Sequence, residues 1–98
     1  LSSAARVEAG LLLRRLQRGE RLELPHSRPM PSLGSRCHEL RIQDPSVTWR
    51  VLYRVDPDAV LIVAVFAKKT QATPAVELDS GRRRLRAYDR LVRERGMR

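Results

Sequence analysis

The sequence predicts a small α+β domain in which helices at the two ends of the chain pack against a short antiparallel sheet. Three observations predict it: an amphipathic helical pattern at the start, three strand patterns joined by short turns, and a second helical pattern at the end. The 98 residues suffice for a single domain over 1–98. The core must be built from aliphatic side chains, because aromatic residues make up only 4% of the chain.

Residues 2–18 have the pattern of an amphipathic helix. Ser2 or Ser3 can cap its beginning, and Gly19 is a typical residue at its end. The apolar residues recur at the spacing of one helical face. They are Ala5, Ala9, Leu12, Leu13 and Leu16.

The segment that follows, residues 20–36, is rich in proline and glycine. These residues exclude a regular helix or a central strand. We expect an ordered surface loop of extended character. The breaking residues are Pro25, Pro29, Pro31 and Gly34.

Three strand patterns come next, over residues 37–44, 47–56 and 59–67. The first two alternate between apolar and polar side chains, as half-buried strands do. The third, AVLIVAVFA, is apolar on both faces, which is typical of a central strand. The Asp-Pro-Ser link at 44–46 and the Asp-Pro-Asp link at 56–58 favour tight turns, so we expect an antiparallel meander.

The last helix is predicted over residues 74–95. Thr73 is the expected N-cap and Pro74 the expected first helical residue. Gly81 lies on the apolar stripe, where a close approach of helix and sheet would explain it. The stripe consists of Leu78, Leu85, Tyr88 and Val92.

The helices are expected to cover one face of the sheet, which leaves the other face to meet a partner. By alternation, Arg41, Arg50 and Arg54 share that second face, and Lys68 and Lys69 follow the third strand. These residues can converge into one cationic patch. The alternative is that they are ordinary solvent-facing charges on a half-exposed sheet.

The charge of the chain favours a polyanionic partner. Twenty Lys and Arg stand against eleven Asp and Glu, for a net charge of +9. Residues 82–98 alone carry eight Arg against Asp89 and Glu94, an excess of six positive charges. Such a field favours nucleic acid, a ribosome or an anionic membrane surface. The helix arginines fit either an RNA contact or a solvated helix face.

Other classes of function are disfavoured. The apolar runs are far shorter than the ~20 residues of a membrane-spanning helix. Cys37 is the single cysteine, so no internal disulfide or Cys-pair zinc site is expected, and a reducing cytoplasm fits best. Only His26 and His38 are present, which makes a metal site or a Ser-His-Asp triad improbable. No glycine-rich phosphate loop is present, and no cofactor is expected.

The remaining chemical groups suit phosphodiester cleavage. Charge builds on the phosphate oxygens in the transition state, and fixed cations stabilise it. The arginine fork donates two hydrogen bonds to a phosphate. In RNA the 2′-hydroxyl supplies the nucleophile, so neither a metal nor a protein nucleophile is required. A lysine or arginine can transfer the proton only where burial or neighbouring cations lower its pKa.

Several residues have two interpretations. His38 fits a buried strand residue or a general base. Trp49 and Tyr53 fit the core, because they share a face with Val51 and Val55, or a platform for base stacking. Cys37 fits a small buried hydrophobe.

An ordered set of short motifs resembles the RelE/HigB-type toxins of bacterial toxin–antitoxin modules, and in particular the phage-derived branch of that superfamily. The likeness covers about residues 5–92. The motifs are Glu39-Leu40-Arg41, Trp49-Arg50-Val51-Leu52-Tyr53, Phe66-Ala67-Lys68-Lys69 and Thr73-Pro74.

The resemblance implies a microbial-ribonuclease-like fold and cleavage of mRNA, usually in the ribosomal A site. The implied reaction needs no metal or cofactor and leaves a 2′,3′-cyclic phosphate and a 5′-hydroxyl. The implied partner is a small antitoxin, commonly with a helix-turn-helix domain. Operator DNA would be bound only through that antitoxin.

The resemblance also assigns residues. Arg50 matches the arginine that contacts the scissile phosphate, Lys69 matches the basic residue after the last core strand, and Arg41 matches a basic residue on the neighbouring strand. These three are the predicted catalytic residues. The predicted RNA-binding residues are Lys68, Arg54, Arg82, Arg83 and Arg86.

The chain departs from the family pattern in three places. Glu39 stands where some relatives carry a basic residue, and Ala75 lies where some carry a tyrosine. The family's short first strand is not seen; because the sequence begins with Leu rather than Met, we expect that strand to be missing from a clipped N-terminus. The competing hypothesis is a binding module without catalysis that sits on RNA or ribosomes, or an attenuated toxin that acts mainly in operon control with its antitoxin.

Overall fold

The computed structural model describes residues 1–68 and 72–96, and it has the predicted α+β architecture. The elements are α1 (Ser3–Gln17), β1 (Ser27–Pro29), β2 (Cys37–Gln43), β3 (Thr48–Val55), β4 (Val60–Lys68) and α2 (Ala75–Glu94). The strands form one antiparallel sheet in the order β1-β2-β3-β4. Consecutive strands are neighbours, so the meander is confirmed.

Helix α1 begins and ends as the sequence predicts. The Ser2 hydroxyl accepts a hydrogen bond from the backbone N–H of Ala5 at 3.1 Å, which satisfies one of the free donors of the first turn. Gly19 follows the helix with a φ of +86°, a conformation that glycine adopts at little cost. Ala5, Leu12 and Leu16 are buried, and the predicted apolar face therefore packs on the sheet.

Strand β1 corrects the expectation of a loop over residues 20–36. Residues 27–29 pair with 38–40 of β2 and form one outer edge of the sheet. Pro29 is tolerated there because an outer strand leaves one side of its backbone unpaired. Three residues are too few to show an alternating pattern, so no strand could be predicted at this point.

The two helices lie on opposite faces of the sheet, which corrects the prediction that both cover one face. α1 packs with Leu40, Ile42, Val51 and Tyr53 in one core cluster. α2 packs through Leu85 on Leu52, Val63 and Ala64 in a second cluster on the other face. This second face, which carries Arg50 and Arg54, was expected to meet a partner because of its arginines.

Strand β4 is an outer strand of the described sheet, although its apolar sequence predicted a central one. Its pairing with β3 shifts at Leu52/Tyr53, where Val63 is the extra residue. One face of β4 is buried under α2, whereas Ile62 and Val65 on the other face are exposed. The apolar residues of β4 therefore belong to the core on one face of the strand and form an exposed apolar surface on the other.

Helix α2 begins one residue later than predicted, and its cap differs. Pro74 is the N-cap, with no side-chain cap hydrogen bond. The Thr73 hydroxyl, predicted to cap the helix, instead donates to Glu39 Oε2 at 2.8 Å. Leu85 and Val92 are buried and Leu78 and Tyr88 are half-buried, so the predicted apolar stripe is confirmed.

Candidate functional site

Two of the predicted catalytic residues are direct neighbours across the sheet. Arg41 of β2 is the cross-strand partner of Arg50 of β3, and both belong to the face that α2 partly covers. Like charges placed directly opposite each other destabilise a sheet unless something compensates them. Arg28 of β1 lies on the next strand, opposite Glu39. We call Arg28, Glu39, Arg41 and Arg50 the arginine cluster.

The Glu39 carboxylate is the centre of this cluster. It is fully buried, with a side-chain exposure of 0%, and its Oε1 accepts hydrogen bonds from Arg28 Nε and Arg50 Nη1, both at 3.1 Å. Oε2 accepts from the Thr73 hydroxyl. One carboxylate therefore links β1, β2, β3 and the segment that leads into α2.

Two guanidinium donors of the cluster have no acceptor. Arg41 Nε and Arg50 Nε are buried, and neither has a hydrogen-bond partner among the described residues. A buried donor without a partner costs about 1–3 kcal/mol, so such groups are rare in folded proteins. Two such donors on residues that are cross-strand partners are a feature expected of an anion-binding site.

The pKa of Arg50 is lowered from its ordinary value. Burial is the largest cause, since only 7% of the side chain is exposed, and Arg41 and Arg28 act in the same direction. Glu39 opposes them through its charge and its hydrogen bond. The cluster still carries more positive than negative charge, because three guanidinium groups surround one carboxylate.

Arg54, predicted to bind RNA, is buried between carboxylates. Its Nε donates to Asp56 Oδ1 at 2.7 Å, and its Nη2 donates to Asp56 Oδ2 and to Asp89 Oδ1 at 2.9 and 2.7 Å. These bonds raise its pKa, Asp89 being the largest cause and Asp56 the next. Arg54 therefore joins α2 to the sheet, and this geometry offers RNA no exposed guanidinium edge.

The predicted arginines of α2 differ in their surroundings. Arg82 donates to Ser32 O at 3.0 Å and to Asp79 Oδ1 at 2.7 Å, which directs it toward the loop before β2. Arg83 and Arg86 are exposed. Together with the equally exposed Arg90 and Arg93, they fall at helical spacing on the side of α2 that faces away from the sheet.

Lys69, the third predicted catalytic residue, lies outside the described residues. Of Lys68 the structure describes the backbone alone, which pairs with Thr48 at the end of β4. Both assignments stay predictions from the resemblance.

Tyr53 is a core residue, and the half-buried Trp49 packs against the same core cluster. Tyr53 is buried, and its hydroxyl is hydrogen-bonded to that of Ser27 at 2.6 Å. The His38 ring stacks on Tyr53 with 5.3 Å between centroids, and burial lowers the pKa of His38, with Arg21 acting in the same direction. Trp49 Nε1 donates to Asp44 Oδ2 at 3.0 Å. Cys37 is also buried, which fits its interpretation as a small hydrophobe.

Arg28 and Glu39 were not recognised as site residues from the sequence. Arg28 falls in the Pro-rich segment, where nothing signalled a strand. Alternation does place Glu39 on the same face as Arg41, since the two are two residues apart on one strand. A glutamate on the same strand face as the predicted arginines was the feature of the sequence that could have identified Glu39 as a site residue.

Within residues 1–68 and 72–96, no group of three or more His, Cys, Asp or Glu side chains could hold a metal ion. In the same part of the chain, neither helix is long and apolar enough to span a bilayer.

The fold and the arginine cluster define a small α+β protein with a cationic site on a sheet face. A protein-family comparison identifies its family: residues 1–86 match the model described as Phage derived protein Gp49-like (DUF891), and the chain belongs to that family. Neither a curated protein nor a solved structure matches the chain.

Proposed function

We propose that this protein is the toxin of a bacterial type II toxin–antitoxin pair and that it cleaves mRNA without a metal ion. Membership of the phage-derived Gp49-like family and the RelE/HigB resemblance support the class. The observation that carries the proposal is the pair of buried, unpartnered Nε donors on Arg41 and Arg50. A phosphodiester is the anion that this pair suits best.

The proposed chemistry is stabilisation of charge on the scissile phosphate. The 2′-hydroxyl of the substrate loses its proton and attacks the adjacent phosphorus. The bond from phosphorus to the 5′-oxygen breaks, that oxygen takes up a proton and leaves as a 5′-hydroxyl, and a 2′,3′-cyclic phosphate remains. Arg50 and Arg41 donate to the non-bridging oxygens as their charge grows. Glu39 holds Arg50 and Arg28 in place, so the donors need little rearrangement when the substrate arrives.

The remaining assignments belong to the same proposal. Lys69 is proposed to stabilise the phosphate charge together with Arg50, and Lys68 to position the RNA backbone. Arg83 and Arg86 on the outward side of α2 contact ribosomal RNA. The protein acts in the cytoplasm on ribosome-bound mRNA, and a small antitoxin, commonly of the helix-turn-helix type, restrains it and carries operator binding.

The experiment is a cell-free translation reaction in which the 5′ ends of the mRNA are mapped. Arg50→Lys keeps the charge and loses the fork, so we expect cleavage to fall by about 10²-fold or more. Arg14→Lys makes the same exchange on the exposed side of α1 and should leave cleavage unchanged. Melting curves of both variants separate loss of chemistry from loss of fold. Intact mRNA with the wild-type protein would contradict the proposal.

A second candidate is an RNA- or ribosome-binding protein without catalysis. The near-complete burial of Arg50 and its bond to Glu39 favour it, because a guanidinium held this way has a structural role. This candidate predicts binding to ribosomes with no new mRNA ends. It also predicts that affinity falls gradually as any exposed arginine is removed, rather than abruptly at Arg50.

A further inference from the structure

A cavity lies on the α1 side of the sheet, on the face opposite the arginine cluster. It has a volume of about 320 Å³ and opens where the chain leaves α1 and passes over β2 and β3. Successive residues of a strand point to opposite faces, so His38 of β2 lines this cavity whereas Glu39 belongs to the cluster. Ligand pockets range from ~300 to 1,000 Å³, and the cavity therefore suits a small ligand.

Most of the cavity wall is apolar, and part of it is aromatic. Leu16, Leu22 and Val55 supply the aliphatic surface. The His38 ring stacks on Tyr53 with 5.3 Å between centroids and an angle of 22° between the ring planes. Tyr53 is buried, whereas His38 is half-buried. Because aromatic rings pack well on one another, this wall favours a ligand with a flat apolar body.

Two arginines and the imidazole form the polar part of the wall. Arg21 is exposed, and within residues 1–68 and 72–96 neither its guanidinium nor the His38 ring has a hydrogen-bond partner. Arg36 Nη2 donates to Asp56 Oδ1 at 3.3 Å, and 54% of the Arg36 side chain is exposed. Arg54 also binds Asp56, at 2.7 and 2.9 Å. Arg36 can therefore turn to a ligand without leaving that buried carboxylate unpaired.

The acidic residue of the cavity wall is already neutralised. Glu20 pairs with Arg15 at 3.0 Å and with Arg18 at 3.2 Å. The charges of Arg21 and Arg36 are therefore in excess at the cavity. Burial, and Arg21 after it, lowers the pKa of His38, so the neutral imidazole is available as a hydrogen-bond donor. An anionic group is the partner that this set of donors fits.

The backbone at Arg36 has a conformation that is uncommon for a residue with a Cβ. Its φ is +60°, in the left-handed region. The Arg36 carbonyl accepts a hydrogen bond from the backbone N–H of Val55 at 3.0 Å, which fixes this conformation beside β3. Residues held in this way occur preferentially at ligand-binding sites. A glycine would adopt the conformation more easily, yet the chain has an arginine here, at the wall of the cavity.

We propose that this cavity binds a small ligand in which a flat ring carries a carboxylate or a phosphate group. The ring packs on the apolar wall beside His38, and the anionic group lies between Arg21 and Arg36, whose guanidinium forks bind either oxyanion. An aromatic acid and a nucleotide share this chemistry. A single enclosed cavity does not follow a nucleic acid backbone as an extended groove does. The proposal goes beyond RNA cleavage and does not depend on it.

The test is an NMR titration of the whole chain with naphthoate and, separately, with adenosine monophosphate, without RNA. We expect a saturable shift of the ring protons of His38 and none for His26, which lies outside the cavity wall. Arg21→Gln and Arg36→Gln should each weaken binding by about fivefold or more, because each removes a charged donor. Arg6→Gln removes the same charge at the other end of α1 and should leave the affinity within about twofold.

The neutral compound naphthylmethanol should bind at least about fivefold more weakly than naphthoate, since it lacks the anionic group. Of the two anionic probes, tighter binding of naphthoate would identify an aromatic acid as the ligand, and tighter binding of adenosine monophosphate a nucleotide. The proposal would be overturned by equal binding of the neutral compound, by equal losses for Arg21→Gln and Arg6→Gln, or by the absence of a saturable His38 shift with both anionic probes. Because no step involves cleavage or the arginine cluster, a failed result here leaves the proposed function standing.

Discussion

Glu39 shows how much one buried side chain decides in this fold. Its carboxylate accepts hydrogen bonds from Arg28, Arg50 and the Thr73 hydroxyl. A carboxylate with no access to water is tolerated only where such partners compensate it, and the arginines in turn depend on it. The residue that departs from the family pattern is therefore the one that holds the cluster together.

The Glu39→Ala variant should unfold far more readily than the wild-type protein. Removing one member of a buried ion pair leaves the other charges uncompensated, and the expected loss in the free energy of unfolding is about 3–5 kcal/mol. Glu39→Gln keeps the shape and should cost less, roughly 1–3 kcal/mol. Urea denaturation measures both values. Glu23→Gln, at an exposed position, is the control and should change little. A Glu39→Ala variant as stable as the control would show that the cluster is not held by this carboxylate.

His38 gives the fold a dependence on pH. Burial lowers its pKa, so the unfolded chain takes up a proton at a higher pH than the folded chain does. Stability is then full above the unfolded pKa and is lost as the pH falls through about 6.5 toward the folded value. We expect the urea midpoint of the wild type to fall between pH 7.5 and 5.5 by more than that of His38→Gln. Parallel curves for the two proteins would contradict a lowered pKa for His38 in the folded protein.

At the scale of elements, α2 packs closely against the sheet at Gly81. A Cβ there would stand 2.8 Å from Leu33 Cδ1 and 3.3 Å from Val63 Cγ2. This observation agrees with the prediction that a close packing contact explains a glycine on the apolar stripe of a helix. Glycine at position 81 therefore lowers the helix propensity of α2 but allows the helix to pack close to the sheet.

Gly81→Ala should therefore destabilise the protein, although alanine favours a helix by about 1 kcal/mol. Overpacking against buried neighbours costs about 1–3 kcal/mol, so we expect a net loss of roughly 1 kcal/mol in the free energy of unfolding. Gly10→Ala is the matched control on α1, where a Cβ would meet nothing within 4 Å. It should stabilise by about 0.5–1 kcal/mol. If both substitutions stabilise, Leu33 can move aside and the contact does not require glycine.

The elements differ in how much of them the sequence could predict. α1 and the pairing of β2 with β3 follow from local periodicity and turn residues, which act within a few positions of the chain. The side of the sheet taken by α2 does not, because it depends on contacts between residues far apart in the sequence, such as Leu85 with Leu52 and Arg54 with Asp89. Asp56 is two residues away, but Asp89 is 35 residues away and meets Arg54 only in the fold. The predicted partner face was wrong for this reason.

The candidate site was predictable in part for a similar reason. Alternation alone aligned Arg41 with Arg50, and the register confirms it. Arg28 reaches the cluster through three residues of β1, whose pairing is set by β2 rather than by their own sequence. Lys69 lies outside the described residues, so its assignment stays a prediction.

At the scale of the whole molecule, the positive charge is spread over several surfaces, which include the exposed side of α1 with Arg6 and Arg14. The arginine cluster lies on the sheet, and the exposed residues Arg83, Arg86 and Arg90 lie on the outward side of α2. The net charge of +9 by itself predicts attraction to any polyanion. A specific site differs from a diffuse field because particular phosphates are neutralised at particular positions.

Salt dependence distinguishes these two possibilities. For a single strand, the slope of log affinity against log salt concentration is about −0.7 for each phosphate neutralised. Arg41→Gln and Arg14→Gln lower the net charge equally, but Arg41 lies in the cluster and Arg14 on the exposed side of α1. With a short RNA oligonucleotide we expect Arg41→Gln to reduce the slope by about 0.7 and Arg14→Gln to leave it nearly unchanged. Equal reductions would mean that RNA binds to the overall field, in which case the unpartnered donors of Arg41 and Arg50 are not a phosphate site.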